Sequence, residues 1–567
     1  MVETAKEDRM SPATIEFDVS VPMRDGVVLR ADIYRPAGDG PWPVLLQRTP
    51  YDKQMPLLVS SLLDTLKAVQ RGYIVIHQDT RGRYKSDGEW LPWAFERTDG
   101  YDTVEWAATI PGSNGRVGMF GASYTGNTQW AAAVANPPHL AVIAPQLTWS
   151  EPTDGIFYRG GALEIGLNLY WSLAQSLSHY PKSSTSVDDL LAKVGTTIYD
   201  LDHLADETYW ELPSGASPAL ARTGLPDIGT QRGLRDEASI DEARVAGRHG
   251  DVTVPSLNVS GWFDVFQQGS LDNFVDARQQ GLTSRLIVGP WAHTSHLSTV
   301  PGHLGDVYYG LGSLPPSPDG TMTGIELDWF DHFLADKPAD VAHESGVDIF
   351  VMGINEWRHE ETWPLDRARA TAFYLHPDGG LSVSAPTVLE SASTYTYDPA
   401  DPVTTTGGPL VMAGSYPAGA FDQAKVEARD DVLVYTSEPL TEDLEITGRV
   451  AASIFASTDG PSTDWVVRLC DVDEDGRSLN IVDGITRVTT ENGRVNEHEI
   501  DLWSTSIVIR TGHRLRVQVT SSNFPRWDRN LNTGEDPTTG TTTRVAHQIV
   551  HHDTTRPSRL ILPVIPA

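Results

Sequence analysis

Three residues stand in an order that could carry acyl transfer: Ser123 in VGMFGASYTG, Asp264 in SLNVSGWFDVF and His293 in RLIVGPWAHTSH. A serine hydroxyl is a weak nucleophile at neutral pH. It needs a base such as imidazole, which a buried carboxylate then orients. Ser123 ends an apolar run between small residues, with Gly121 two before it and Gly126 three after. That pattern predicts a tight strand-to-helix turn holding the hydroxyl exposed above a sheet, with Gly121 allowing close packing through the turn. The generic short motif also places glycine two after the serine, where this chain has Thr125. Taken alone, the stretch also reads as an ordinary Gly/Ser turn. The order serine, acid, histidine, each just past a strand, is the order of an α/β-hydrolase sheet and decides for the elbow.

Acyl transfer also needs donors aimed at the developing oxyanion. The amide of Tyr124, next after the serine, is one candidate. The phenol of Tyr51, in RTPYDK after the strand-like VLLQ, is a second. Each position has a plainer reading as well: a packing aromatic for Tyr51, a helix cap for Asp264, a structural histidine for His293. His296 competes as a base. His293 and His296 form an H-x-x-H pair without a nearby third ligand, so no metal is expected. DVDEDG spaces three aspartates as a calcium loop does, but Val482 stands where the closing glutamate belongs, and a hairpin turn is expected. His547, His551 and His552 fit a late strand. No cofactor is implied.

These residues need a frame. IEFDVSVPMRDGVVLRADIYRP reads as two strands around the turn Asp25-Gly26. Short, nearly continuous apolar runs follow at residues 44–47, 73–78, 116–121, 141–146, 256–261 and 285–290, as a parallel sheet covered on both faces requires. Helix-like DTVEWAATI and YTGNTQWAAAVAN lie between strands, giving an α/β domain. The rhythm breaks after Gln146. GGALEIGLNLYWSLAQSLSHY and VDDLLAKVGTTIYDLDHLA carry helical periodicity and predict a cap inserted over the working edge of the sheet. From about Ala370 the pattern alternates. Ile446, Val450, Ala452 and Ile454 share one face, and Leu515, Val517 and Val519 alternate with Arg516, Gln518 and Thr520. An antiparallel β domain is expected there.

At 567 residues the chain exceeds one core. Its net charge of −33 argues against nucleic acid or an anionic membrane surface as partner. The single cysteine, Cys470, excludes an internal disulfide and reads as a packed thiol. No apolar run reaches membrane-span length and the N-terminal stretch has no signal-peptide core, so a cytoplasmic location is expected.

The stretches VPMRDGVVLRADIYRP, RTPYDK, QDTRGRYKSDGEW, NGRVGMFGASYTG, GWFD, GPWAH, VMGINEWRHEETWP and SSNFPRWDRNLNTGE resemble the bacterial cocaine esterase and X-Pro dipeptidyl-peptidase family of serine hydrolases. That family's elbow is G-x-S-Y-x-G, which accommodates Thr125. The resemblance implies an α/β-hydrolase domain (1–148 and 251–365), an inserted helical cap (149–250) and a C-terminal jelly-roll-like β domain (366–567). It implies Ser123 as nucleophile, Asp264 as acid, His293 as base, and Tyr51 and Tyr124 as oxyanion donors. It further implies Trp171 and Phe266 against the acyl pocket. The expected substrate is a small-molecule ester with a bulky or aromatic acyl group, cleaved through an acyl-enzyme, and homodimers occur among relatives. The alternative is an amide-cleaving relative: an X-prolyl dipeptidyl-peptidase, an α-amino acid ester hydrolase or a side-chain acylase. It would need carboxylates for a substrate ammonium. Asp154 and Glu164 are the local candidates, and both read better as solvated surface.

Overall fold

A computed structural model describes residues 13–55, 63–225, 237–295, 300–335, 346–412, 414–491 and 493–566. The apolar runs form one ten-stranded sheet. Its strands are β1 (Thr14–Pro22), β2 (Val28–Arg35), β3 (Trp42–Thr49), β4 (Ile74–Asp79), β5 (Ser113–Ala122), β6 (Leu140–Gln146), β7 (Ser256–Phe263), β8 (Ser284–Ala292), β9 (Val347–Val351) and β10 (Glu356–Glu360). Their spatial order is β1-β2-β4-β3-β5-β6-β7-β8-β9-β10. Strands β4, β3 and β5 through β9 run parallel, while β1, β2 and β10 form antiparallel edges.

The central strands are apolar throughout because both faces are covered. Val44 and Leu46 of β3 pack with helices α2 (Glu96–Thr109) and α3 (Tyr124–Ala135) on one face. Leu45 packs on the other, with α1 (Thr65–Arg71) and α9 (Met322–Leu334). Asp64 caps α1, its carboxylate accepting from the amides of Leu66 and Lys67, and Gly72 closes it in the left-handed region.

The chain leaves the sheet after β6 and returns at β7. In between lie a short hairpin (Tyr158–Arg159 with Ala162–Leu163) and the helices α4 (Ile165–Ser183), α5 (Val187–Asp202), α6 (Pro218–Arg222) and α7 (Glu237–Ala243). The helical insertion expected from periodicity is therefore present. Helix α4 buries two stripes. Ile165, Leu169 and Leu173 cluster with Leu204, Tyr209 and Leu220 of the insertion and with Phe524 of the β domain, while Leu167 faces an aromatic cluster with Trp93, Trp149 and Phe266. Between β7 and β8 runs α8 (Gln267–Gln279).

Past residue 369 the structure is antiparallel β, in a seven-stranded and a four-stranded sheet around one core that includes Ile446, Val450, Ala452, Ile454, Leu515, Val517 and Val519. The alternation holds, but its polar face is not open to water. Gln518 is 1% and Thr520 2% exposed. Gln518 accepts from buried Arg468 at 2.7 Å, and the Thr520 hydroxyl donates to the carbonyl of Asp431 at 2.8 Å. Cys470 is buried, and burial pushes its thiol up to about 12, so it behaves as an apolar packing group. The DVDEDG stretch is the hairpin turn between paired strands Ser462–Val472 and Ser478–Thr489. Among the described residues no helix is long and apolar enough to cross a membrane.

Backbone contacts join the β domain to the rest. Met352, just past β9, donates to Ser506 O at 3.0 Å and accepts from Val508 N at 2.9 Å. On the insertion side, Arg487 N donates to Gly160 O at 2.7 Å. Gly160 sits at φ +53°, and a Cβ there would lie 1.9 Å from Ile485 O. Gly160→Ala should therefore push the insertion off the β domain. A loss on the order of 2 kcal/mol or more in urea unfolding is expected, and unchanged stability would show that this contact yields freely.

Candidate active site

The tips of four parallel strands place the residues singled out in the sequence. Tyr51 lies two residues past β3, Ser123 joins β5 to α3, Asp264 follows β7 directly and His293 follows β8 directly. This is the carboxyl edge of the sheet, where the insertion sits over it.

Ser123 is in a conformation that L residues seldom adopt, φ 61° and ψ −125°. The surroundings impose it. Its amide donates to Gln146 O at 3.0 Å, and its carbonyl accepts from the Thr148 hydroxyl at 2.9 Å. Gly121 is at φ +129°, where a Cβ would meet the Thr125 hydroxyl at 2.3 Å. Thr125 turns that hydroxyl back to the carbonyl of Ala122 at 2.7 Å. The residue that broke the generic motif thus closes the turn. Ser123 occupies the cap position of α3, yet its hydroxyl makes no capping bond. Tyr124 begins the helix, so its amide is among the first N–H groups that have no intrahelical acceptor.

His293 and Asp264 pair directly, Nδ1 to Oδ2 at 2.6 Å. The carboxylate can only accept, so the proton lies on Nδ1 and Nε2 is left as an acceptor. Asp264 is fully buried, and its other oxygen accepts the Phe266 amide at 2.7 Å. The Phe266 ring stands edge-on to the imidazole, with centroids 5.3 Å apart. His296 lies outside the described residues.

Tyr51 receives the indole N–H of Trp171, on α4, at 3.1 Å. Burial raises the phenol above its ordinary range. The Trp171 indole, the Ser123 hydroxyl and the charge of Arg83 act in the opposite sense, favouring negative charge on its oxygen. Below the site the phenol of Tyr124 donates to Glu96 at 2.8 Å, and Arg48 donates to the same carboxylate at 2.7 Å. Burial raises the Glu96 carboxyl, opposed by Arg48. The rings of Tyr124, Trp93 and Trp171 stack face to face in turn.

Ser123, His293, Tyr51, Tyr124, Trp171 and Phe266 all line one cavity of about 250 Å³. A hydroxyl, an imidazole oriented by a buried carboxylate, a phenol and a helix-start amide around one apolar space are the groups that acyl transfer uses. Sequence reading missed Trp93, Trp149, Leu167, Gln175 and Val411, which also line it. Trp93, in the QDTRGRYKSDGEWLPW stretch, stood near a flagged motif. Gln175 and Val411 carried no local signal, because only folding brings them there.

Neither Asp154 nor Glu164 lines the cavity. The reading of Glu164 as solvated surface is corrected, while Asp154 is partly exposed. Glu164 is 1% exposed and accepts the Trp527 indole at 2.8 Å. Asp154 accepts the Trp503 indole at 3.2 Å. Both belong to the junction with the β domain, which the sequence placed elsewhere along the chain.

This fold and site define a serine hydrolase of the α/β-hydrolase class. Comparison with known proteins agrees. The family described as X-Pro dipeptidyl-peptidase (S15 family) matches residues 25–295, and that described as X-Pro dipeptidyl-peptidase C-terminal non-catalytic domain matches residues 339–561. The cocaine esterase of Rhodococcus sp. (strain MB1 Bresler) is 37% identical over 97% of this chain and 99% of its own. The crystal structure of an aminopeptidase from the marine-sediment archaeon Thaumarchaeota archaeon superposes with a TM-score of 0.82 at 26% identity, covering 100% of both chains. An α-amino acid ester hydrolase shares the fold, with a TM-score of 0.74 at 24% identity over 99% of this chain and 98% of its own. The chain belongs to the cocaine esterase and X-Pro dipeptidyl-peptidase family.

A second carboxyl lies behind the elbow. Glu326, on α9, is fully buried, and its Oε1 accepts the side-chain amide of Gln146 at 2.9 Å. Burial raises its carboxyl from 4.5 to about 8. The folded state thus holds this proton between pH 4.5 and 8, while the unfolded state releases it. Its contribution to stability is full below pH 4.5 and is lost as pH rises to 8. Glu326→Gln should therefore gain stability relative to the wild type as pH rises across that window. Urea midpoints measured at several pH values check this, and parallel curves would contradict it.

Proposed function

We propose that the protein is a carboxylic ester hydrolase working through an acyl-enzyme on Ser123. His293 Nε2 takes the Ser123 proton as Oγ bonds to the ester carbonyl carbon. The Asp264 carboxylate orients the imidazolium. The Tyr51 phenol and the Tyr124 amide donate to the oxyanion. Collapse breaks the carbon–oxygen bond to the alcohol, which leaves with the proton from His293. Water then repeats the sequence with His293 again as base, and the acid departs.

Trp171 and Phe266 form walls of the acyl pocket, which favours a bulky or aromatic acyl group. The observation that carries this is the makeup of the cavity: the reacting groups share it with aromatic side chains, and no carboxylate lines it among the described residues. An amide-cleaving reading draws on the aminopeptidase neighbour, but a substrate ammonium would find no counter-charge among these walls. The 37% identical relative named as an esterase supports the ester reading. The remaining expectations stand beside it: a small-molecule substrate, no nucleic acid or membrane partner at a net charge of −33, a cytoplasmic location, the domain limits 1–148, 149–250, 251–365 and 366–567, and a homodimer only as the assembly that occurs among relatives.

A panel of p-nitrophenyl acetate, butyrate and benzoate, a benzoyl alkyl ester, an α-amino acid methyl ester and Gly-Pro-p-nitroanilide tests it. Ester turnover favouring the benzoyl compounds is expected. Ser123→Ala should abolish it, by roughly 10⁴-fold or more. Equal rates in both proteins would remove Ser123 from the mechanism. Turnover confined to the amino ester or the anilide would transfer the enzyme to the amide-cleaving branch.

A further inference from the structure

We infer that Arg83 is a positioning residue for the oxyanion site, tying the Tyr51 loop to the cap helix that presses Trp171 onto the Tyr51 hydroxyl. The inference rests on the reading of Tyr51 as an oxyanion donor.

Arg83 is 1% exposed. Its Nε donates to the carbonyl of Pro50, the residue before Tyr51, at 2.7 Å. Its Nη2 donates to Gln175 Oε1 at 3.0 Å and to Ser178 Oγ at 2.6 Å, both on α4. The same helix carries Trp171, whose indole meets the Tyr51 hydroxyl. One rigid planar group therefore holds the backbone of the phenol from below and its hydrogen-bond partner from above. The guanidinium also lies 3.9 Å over the ring of Trp90, and Trp90 packs against Trp171 with centroids 5.9 Å apart.

Two features set this arginine apart from an ordinary structural one. First, no carboxylate lies within ion-pair distance of it among the described residues, whereas buried Arg48 is paired with Glu96. A buried, unpaired cation is costly, and here that charge favours negative charge on the Tyr51 oxygen. Second, two nitrogens of one planar fork make its contacts, Nε to Pro50 O and Nη2 to both α4 acceptors. A lysine could keep the charge but could not bridge Pro50 O and the two α4 acceptors together. Gln175, which the fork holds, lines the substrate cavity itself.

The test is a double-mutant cycle on the fastest ester of the panel, with kcat and KM measured separately. The proteins are the wild type, Tyr51→Phe, Arg83→Met, Arg83→Lys and each Arg83 variant combined with Tyr51→Phe. Thermal unfolding of every variant reports the fold independently. Arg83→Met is expected to lower kcat roughly 10–100-fold with a smaller change in KM, because a misaimed donor costs transition-state binding first. Arg83→Lys should fall between it and the wild type. In the Tyr51→Phe background each Arg83 change should cost less than about 3-fold, since no phenol remains to be aimed.

Full activity in both Arg83 variants, or the same fold-loss with and without the Tyr51 hydroxyl, would overturn the inference. If Arg83→Met fails to fold, the Arg83→Lys cycle decides alone by the same criterion. A Tyr51→Phe protein as fast as the wild type would instead bring down the oxyanion reading. A slow Tyr51→Phe protein in which the Arg83 losses still multiply would bring down the positioning role only.

Discussion

The structure turns on one strained residue. Ser123 is held at φ 61° between a buried strand and a buried helix, in a region that costs an L residue of order 1–3 kcal/mol. That conformation persists only because its neighbours over-determine it. The tip of β6 accepts its amide through Gln146, and Thr148 holds its carbonyl. Gln129, one helical turn from Thr125 on α3, donates to the carbonyls of Gly121 and Thr125 at 2.9 and 3.0 Å. Each of these bonds needs β5, β6 and α3 in register, so the parallel sheet and its covering helices are what make the turn possible.

A second layer supports the first. Beneath the cavity, buried polar side chains at the carboxyl edge of the sheet are linked in a chain. Tyr124 bonds Glu96, Glu96 bonds Arg48, and Arg48 bonds Gln78 at 2.9 Å. Each link fixes the two side chains it joins, because a polar group stripped of its partner in low dielectric is costly. Above, the apolar half is built of rings. Trp93 stacks on Tyr124 and on Trp171, and Trp149 stands edge-on to Trp93 and Phe266. One wall of this cluster belongs to the sheet's loops and the other to α4, so the insertion is part of the cavity. Val411, from beyond the last strands of the hydrolase sheet, completes the lining.

The junction with the β domain explains why Asp154 and Glu164 do not serve the cavity. Buried Asp483 gathers Arg526 at 2.6 Å, with Arg159 and Arg468 at 3.8 and 3.7 Å. Glu164 joins that group through Trp527 and Arg526. Glu164 thus serves the junction with the β domain, and the cavity is left without a carboxylate among its described walls.

The amino-acid sequence by itself determined the parts that depend on neighbours along the chain. Apolar runs of strand length, glycines flanking Ser123, and the order of serine, aspartate and histidine at three strand ends are local patterns, and each appears in the fold at the expected position. Helices α4 and α5 were legible for the same reason, since their periodicity is written within twenty residues. Burial of the polar face at Gln518 and Thr520, the retreat of Glu164 into a junction, and the meeting of Arg83 with Pro50 and Gln175 were decided only by tertiary structure. The partners in those contacts lie tens to hundreds of residues apart. A side chain's burial and charge environment are set by whatever the fold brings against it, and no window of sequence contains that.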